Sequence, residues 1–242
     1  MSQAAYPDPV WAFAELATTY DARLAGDPLL SLESTATLAA LPPLAGLRMA
    51  DFGCGTGRYA LQLARDAAHV IGIDACPEML DIARKKAWRQ DLPFSGVVGD
   101  LCGTVPLPPD SFDAGVCALT LAYVPDVRSA FLEMARLLRP GSSLVVSDRH
   151  PHGLFAAQAA ALARNDKAPA PFLRFTSADG QECRIRQYPR TVSDLWTTAN
   201  DAGFVFEQIA EPVVDRRLAS TYANLREQIG VPLALILRFR KT

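Results

Sequence analysis

Three aspartates stand at or near the ends of short apolar runs: Asp51 in "LRMADF", Asp74 in "HVIGID" and Asp100 in "VVGDL". A bare carboxylate closing a buried strand needs partners, and strand ends on one rim of an open sheet share a ligand crevice. Between the first two lies "ADFGCGTGRYA", with Gly53, Gly55 and Gly57, one cysteine (Cys54) and one threonine. A strand, a glycine-rich turn and a helix in succession expose backbone N–H groups at a helix N-terminus, ready for an anionic group. Glycines there let the main chain approach a ligand without a clashing Cβ. The spacing is G-x-G-x-G, whereas the dinucleotide fingerprint is G-x-G-x-x-G. An acidic residue about twenty positions past such a turn, here Asp74, can accept both hydroxyls of an adenosine ribose. Asp100 closes the next strand, where a purine amino group can donate to it.

The candidates for the chemical step are His150 and His152, in "SDRHPHG". Histidine titrates near neutral pH, which suits a general base. The competing reading has them hydrogen-bonding the loop or facing water. Arg149 would bind an anionic substrate or pair with a local carboxylate. Tyr20 belongs either to the site or, as an amphipathic-helix tyrosine, to the core. Cys54 suits a tight turn as a small side chain, not as a nucleophile. Trp11, Phe13, Phe155, Phe172, Phe175 and Trp196 are candidates for an aromatic substrate pocket or for ordinary core.

The elements that position these residues alternate. "LRMADF", "HVIGID", "FSGVVGD", "FDAGVCAL" and "SSLVVSD" read as buried strands. "RYALQLARDA", "PEMLDIARKKAWRQ" and "VRSAFLEMARLL" read as helices between them, with Pro77 early in the second. This order predicts right-handed βαβ units and a parallel sheet covered on both faces. Two helices, "DPVWAFAELATTYDARL" and "LLSLESTATLAAL", precede it. After Asp148 the rhythm breaks: "GLFAAQAAALARN" reads as helical and "FLRFTSADGQECRIRQY" as a hairpin around Asp179-Gly180. "TVSDLWTTANDAG" carries a capping-box pattern from Thr191 to Asp194, and "FVFEQIAEPV" and "VPLALILRFRK" read as closing strands. The expected division is a helical lid over 1–44, a core over 45–148, a substrate cap over 149–190 and closing elements over 191–242.

Taken together, "ADFGCGTG", "GIDACPEML", "GDLCGTVPLPPDSFD" and "LLRPGSSLVVSD" resemble the class I S-adenosylmethionine (SAM)-dependent methyltransferases. Within them the chain is similar to the small-molecule, methyltransferase type 11-like branch that includes ubiquinone- and menaquinone-pathway enzymes. The resemblance covers residues 45–148 and, less closely, 191–242; the cap carries no recognised motif. It implies a doubly wound, Rossmann-like seven-stranded α/β sheet with the last strand antiparallel. It implies SAM as cofactor, with Gly53, Cys54 and Gly55 at its methionyl part, Asp51 near its amino group and Asp74 on its ribose. Ala75 and Met79 would pack by the adenine, Asp100 and Leu101 hold its edge, Leu119 line the methionine side, and Tyr20 close over the cofactor.

Composition narrows the function classes. Half of the 242 residues are hydrophobic and the net charge is −2, which argues against a nucleic-acid binder. No apolar run of about 18 residues would span a bilayer, and the start "MSQAAYPDPVW" lacks a secretory pattern. Five scattered cysteines without a CxxC pair speak against zinc or a disulfide framework and for a cytoplasmic setting; no metal is expected. The expected reaction is methylation of an oxygen, nitrogen or carbon of a small acceptor, aromatic or heterocyclic. The rivals are an NAD-type oxidoreductase and a non-catalytic SAM-binding module.

Overall fold

The computed structural model describes residues 9–153, 172–176 and 182–242. Its strands are β1 Arg48–Phe52, β2 His69–Asp74, β3 Phe94–Val98, β4 Phe112–Ala118, β5 Leu138–Arg149, β6 Phe172–Thr176, β7 Glu182–Arg186, β8 Phe204–Ala210 and β9 Ala234–Lys241. Seven of them form one sheet in the order β3-β2-β1-β4-β5-β9-β8. β1 to β5 pair in parallel, and β9 runs antiparallel to both β5 and β8. The expected seven-stranded sheet with its last strand reversed is the one observed. The chain winds outward through β1, β2 and β3, then returns to the other side of β1 with β4. That reversal is a topological switch point, where open α/β sheets leave a crevice beyond the strand ends.

The central strands are apolar on both faces because both faces are covered. Phe52, Ile73, Cys117 and Val146 share one buried cluster with Phe131 and Met134 of helix α6 (Val127–Leu137). Met49, Val70, Ala114 and Val116 share the opposite one with Leu63 of α4 (Ala60–Leu63) and Leu80 of α5 (Pro77–Arg89). The predicted helix over "RYALQLARDA" is strictly α-helical only at Ala60–Leu63, although i→i−4 bonds extend from Gly57 to Ala67.

The first predicted helix is broken. Helix α1 spans Pro9–Leu16, a 3₁₀ turn follows over Ala17–Thr19, and α2 spans Tyr20–Leu24. Thr19 donates its hydroxyl back to the Leu16 carbonyl at 3.3 Å, the kind of side-chain competition that loosens a helix. Helix α3, Pro28–Ala40, begins on an Asp27 cap and packs Leu29 and Ala40 against Val145, Ala234 and Ile236 of β5 and β9. The predicted hairpin strands pair as β6 and β7; the Asp179-Gly180 turn and the helix over "GLFAAQAAALARN" lie outside the described residues. The capping box is present: Thr191 and Asp194 exchange side-chain-to-backbone bonds of 2.8 and 3.1 Å. A short helix, Arg216–Thr221, and a 3₁₀ stretch, Ala223–Gln228, fill the connection from β8 to β9, which the periodicity did not announce.

Candidate cofactor and acceptor site

A cavity of about 300 Å³ opens at the switch point between β1 and β4. Every residue expected to touch the cofactor lines it: Tyr20, Asp51, Gly53, Cys54, Gly55, Asp74, Ala75, Met79, Asp100, Leu101 and Leu119. The three glycines of the turn all have positive φ, at 72°, 53° and 89°. Gly53 has a second constraint: a Cβ there would lie 2.2 Å from the Thr120 methyl. Thr120 in turn donates its hydroxyl to the Gly53 carbonyl at 3.2 Å, so the tips of β1 and β4 are joined through it. At Gly55 a Cβ would meet nothing within 4 Å. Leu119 itself has φ +54°, a strained conformation of the kind that clusters at ligand sites.

The turn's amides are arranged differently from the sequence expectation. They do not wait for an anionic ligand, because the chain's own carboxylates take two of them. Asp74 Oδ2 accepts the Gly55 N–H at 2.7 Å and its Oδ1 accepts the Cys76 N–H at 2.8 Å. Asp51 Oδ2 accepts the Ala60 N–H at 2.8 Å. Burial pushes the Asp51 carboxyl up to about 7, opposed by the Ala60 amide and Arg58. It raises the Asp74 carboxyl as well, against the pull of its backbone partners. Asp100, at the exposed lip, caps its own turn by accepting the Cys102 N–H at 2.8 Å. Burial raises the Cys54 thiol well above its usual range, so it is no nucleophile at neutral pH.

One side of the cavity is aromatic. Phe13 meets Tyr20 and Tyr123 edge-on, with ring centroids 6.2 and 5.1 Å away, and Tyr188 completes the wall. Burial raises the Tyr20 phenol and pushes the Tyr123 phenol up to about 12, so both stay protonated at neutral pH, and the Tyr123 oxygen accepts Gln187 Nε2 at 3.3 Å. Arg190 fixes this wall from behind. Its guanidinium donates to the carbonyls of Leu121, Val124 and Tyr188, tying the segment after β7 to the turn after β4.

His150 and His152 do not line this cavity. His150 Nδ1 accepts the His152 backbone N–H at 3.1 Å, so its proton sits on Nε2, 2.8 Å from Glu211 Oε1. That ring ties the loop after β5 to the loop after β8, with both of its nitrogens engaged. His152 is exposed beside it, 6.4 Å ring to ring. Arg149 pairs with the Asp27 carboxylate at 3.7 Å. Of the aromatic candidates, Phe13 lines the cavity. Trp11 and Trp196 are half-exposed on the surface, and Phe175 is buried with Leu16 and Ile185. Phe155 and the side chain of Phe172 lie outside the described residues.

The sequence reading missed Glu33, Arg58, Tyr59, Thr120, Tyr123 and Tyr188. Glu33 carried a signal: with Leu29, Thr37 and Ala40 it falls on the apolar stripe of α3, where an ion without partners would be costly. Among the described residues, no group of three His, Cys, Asp or Glu side chains is set to hold a metal ion, and no helix is long and apolar enough to cross a membrane.

The seven-stranded sheet, with a cavity at its switch point, is the class I fold of SAM-dependent methyltransferases. The Methyltransf_11 family model, described as a methyltransferase domain, matches residues 50–146. The chain is 38% identical over 108 residues to a ubiquinone biosynthesis O-methyltransferase of Xylella fastidiosa, covering 43% of each chain. It is 39% identical over 114 residues to a demethylmenaquinone methyltransferase of Tropheryma whipplei, covering 46% of each. These matches span less than half the length of the curated relatives. Its fold is similar to the crystal structure of an S-adenosylmethionine dependent methyltransferase from Mesorhizobium loti, with TM-score 0.69, 26% identity, and 90% of this chain and 100% of that one covered.

Proposed function

We propose that this chain binds SAM at the switch-point groove and methylates a small organic acceptor that carries an aromatic or heterocyclic ring. The observation that carries the reading is the Asp74 carboxylate on the Gly55 amide. A pyrophosphate needs that amide and would meet a negative charge in its place, so a dinucleotide is disfavoured. A phosphate-free nucleoside bearing positive charge fits an edge lined by Asp51, Asp74 and Asp100. Asp74 keeps lone pairs for the ribose hydroxyls beyond those that accept the Gly55 and Cys76 amides. Asp51 faces the ammonium end, Ala75 and Met79 pack on the purine, and Asp100 with Leu101 holds its edge.

When bound, the sulfonium supplies an electrophilic methyl group. The protein's own contribution is alignment, worth about 7–11 kcal/mol in favourable cases. Phe13, Tyr20, Tyr123 and Tyr188 hold a flat acceptor, and the two buried phenols donate to its oxygen or nitrogen. With both His150 ring nitrogens engaged, the acceptor that suits this site is already nucleophilic at neutral pH, as an ionised phenol or an activated carbon is. The quinone-pathway relatives act on ring-bearing acceptors by their names, which supports that class without fixing a member of it.

Thermal unfolding with each nucleotide tests the reading. At a hundredfold excess over Kd, bound S-adenosylhomocysteine adds about 2.7 kcal/mol, a rise in Tm of roughly 5–11 °C for a chain of this size. NAD is expected to give no rise. A rise with NAD and none with the SAM product would overturn the assignment.

A further inference from the structure

The proposed chemistry leaves one buried charge unused. Glu33, on α3, is 0% exposed. Its Oε1 accepts the hydroxyls of Tyr59 at 2.8 Å, Thr37 at 3.0 Å and Ser147, and its Oε2 accepts Arg58 Nη1 at 2.8 Å. Donors from α3, from the segment after the glycine turn and from β5 thus meet on one carboxylate, which a fully buried ion requires. Two of those donors, Arg58 and Tyr59, line the cavity.

Arg58 is the only cationic side chain among the described residues that line it. Its guanidinium lies over the Tyr59 ring, 4.4 Å from the centroid. Both of its hydrogen bonds, to Glu33 and to Ser34 Oγ at 2.9 Å, leave from Nη1. The Nε and Nη2 hydrogens of the fork are therefore left for a ligand. The Gly55 and Ala60 amides, which would otherwise serve an anion, are held by Asp74 and Asp51. A carboxylate entering this cavity has Arg58 as its cation.

We propose that Glu33 is a positioning residue that holds Arg58 at the cavity wall, and that Arg58 recognises a carboxylate of the bound ligand. This rests on the SAM reading and deepens it. The carboxylate belongs either to the amino-acid end of the cofactor or to the acceptor, and two probes separate these sources.

The first probe is a pair of ligands, SAM and decarboxylated SAM, measured by calorimetry on wild type, Arg58→Gln and Glu33→Gln. If the cofactor's carboxylate is read, wild type prefers SAM by about tenfold or more, the span of one charge-assisted bond. Arg58→Gln brings that preference close to unity while binding decarboxylated SAM as wild type does. Glu33→Gln, which keeps the shape and removes the charge, reduces the preference in the same direction. The second probe is benzoate titrated into protein saturated with S-adenosylhomocysteine. Benzoate binding lost in Arg58→Gln, with the SAM preference unchanged, assigns the carboxylate to the acceptor. If Arg58→Gln alters neither measurement, Arg58 reads no carboxylate and the proposal falls. If Glu33→Gln stays folded and retains every wild-type value, Glu33 is not a positioning residue. Wild type that binds no SAM at all overturns the cofactor reading itself, and this one with it.

Discussion

Asp74 reaches across the strand tips to the turn that follows β1: its Oδ2 accepts the Gly55 amide at 2.7 Å while its Oδ1 accepts the Cys76 amide at 2.8 Å. One carboxylate therefore shapes the glycine turn and keeps further lone pairs, which the proposed ribose contact would use. Asp74→Ala removes both, and the ligand-induced rise in Tm should shrink from roughly 5–11 °C to under about 2 °C. Asp74→Asn, which still accepts the Gly55 amide, should retain more of the free protein's stability than of its ligand affinity. An unchanged shift in the alanine variant would remove the ribose assignment.

The two glycines that flank Cys54 serve different needs, and alanine substitutions distinguish them. Gly55→Ala meets no neighbour and carries only the left-handed backbone penalty, about 1–2 kcal/mol. Gly53→Ala carries that penalty and drives a methyl into Thr120, so it should cost at least about 2 kcal/mol more than Gly55→Ala. Urea unfolding of both variants gives the comparison; equal losses would mean that Thr120 yields freely.

Burial sets a pH dependence through Asp51. Its carboxyl is raised from the ordinary range to about 7. A group raised on folding contributes stability that is present below its unfolded value and lost as pH rises through the folded one. The free protein therefore loses this contribution between about pH 4 and 7. A cationic ligand favours the ionised form, so affinity should climb by up to about tenfold per unit as pH rises toward 7 and level off above it. Asp51→Asn should flatten that profile and leave Tm at pH 8 equal to or above wild type. Calorimetry in buffers of different ionisation enthalpy reads the proton release; a profile unchanged by the substitution would exclude Asp51 from the ligand's charged end.

Phe13 joins the two phenols of the aromatic wall, and its removal separates acceptor binding from cofactor binding. Each edge-to-face pair contributes about 0.5–1.5 kcal/mol beyond burial. Phe13→Ala should raise KM for an aromatic acceptor by roughly tenfold and leave S-adenosylhomocysteine affinity within about twofold. The acceptor comes from a mass-shift screen of ring-bearing metabolites with methyl-labelled SAM. Equal loss of both ligands would make Phe13 a core residue of α1.

Arg190 tests the wall from behind. Its guanidinium satisfies carbonyls of Leu121, Val124 and Tyr188, and hydrogen bonds to a charged group contribute about 1.5–3 kcal/mol. Arg190→Ala should lower stability by about 2–3 kcal/mol and raise the acceptor KM more than that of SAM. A variant with wild-type stability would show that water replaces the clamp.

The sequence alone was sufficient for whatever local pattern decides. Strand and helix alternation, the glycine turn, the strand-tip aspartates and the Thr191 capping box are each written within a few neighbouring residues. The parallel sheet and its rim follow from them because βαβ crossovers have one hand. Tertiary structure decided what depends on partners far apart in the chain. It took the Gly55 amide for Asp74, buried Glu33 among donors from three elements, and assembled Phe13, Tyr123 and Tyr188 from three separate segments of the chain. It also turned His150 toward Glu211 and away from the cavity, although its place after β5 suited a base. Hydrogen-bond satisfaction of buried groups is a global constraint: the two ends of the Ser147–Glu33 and His150–Glu211 bonds lie 114 and 61 residues apart.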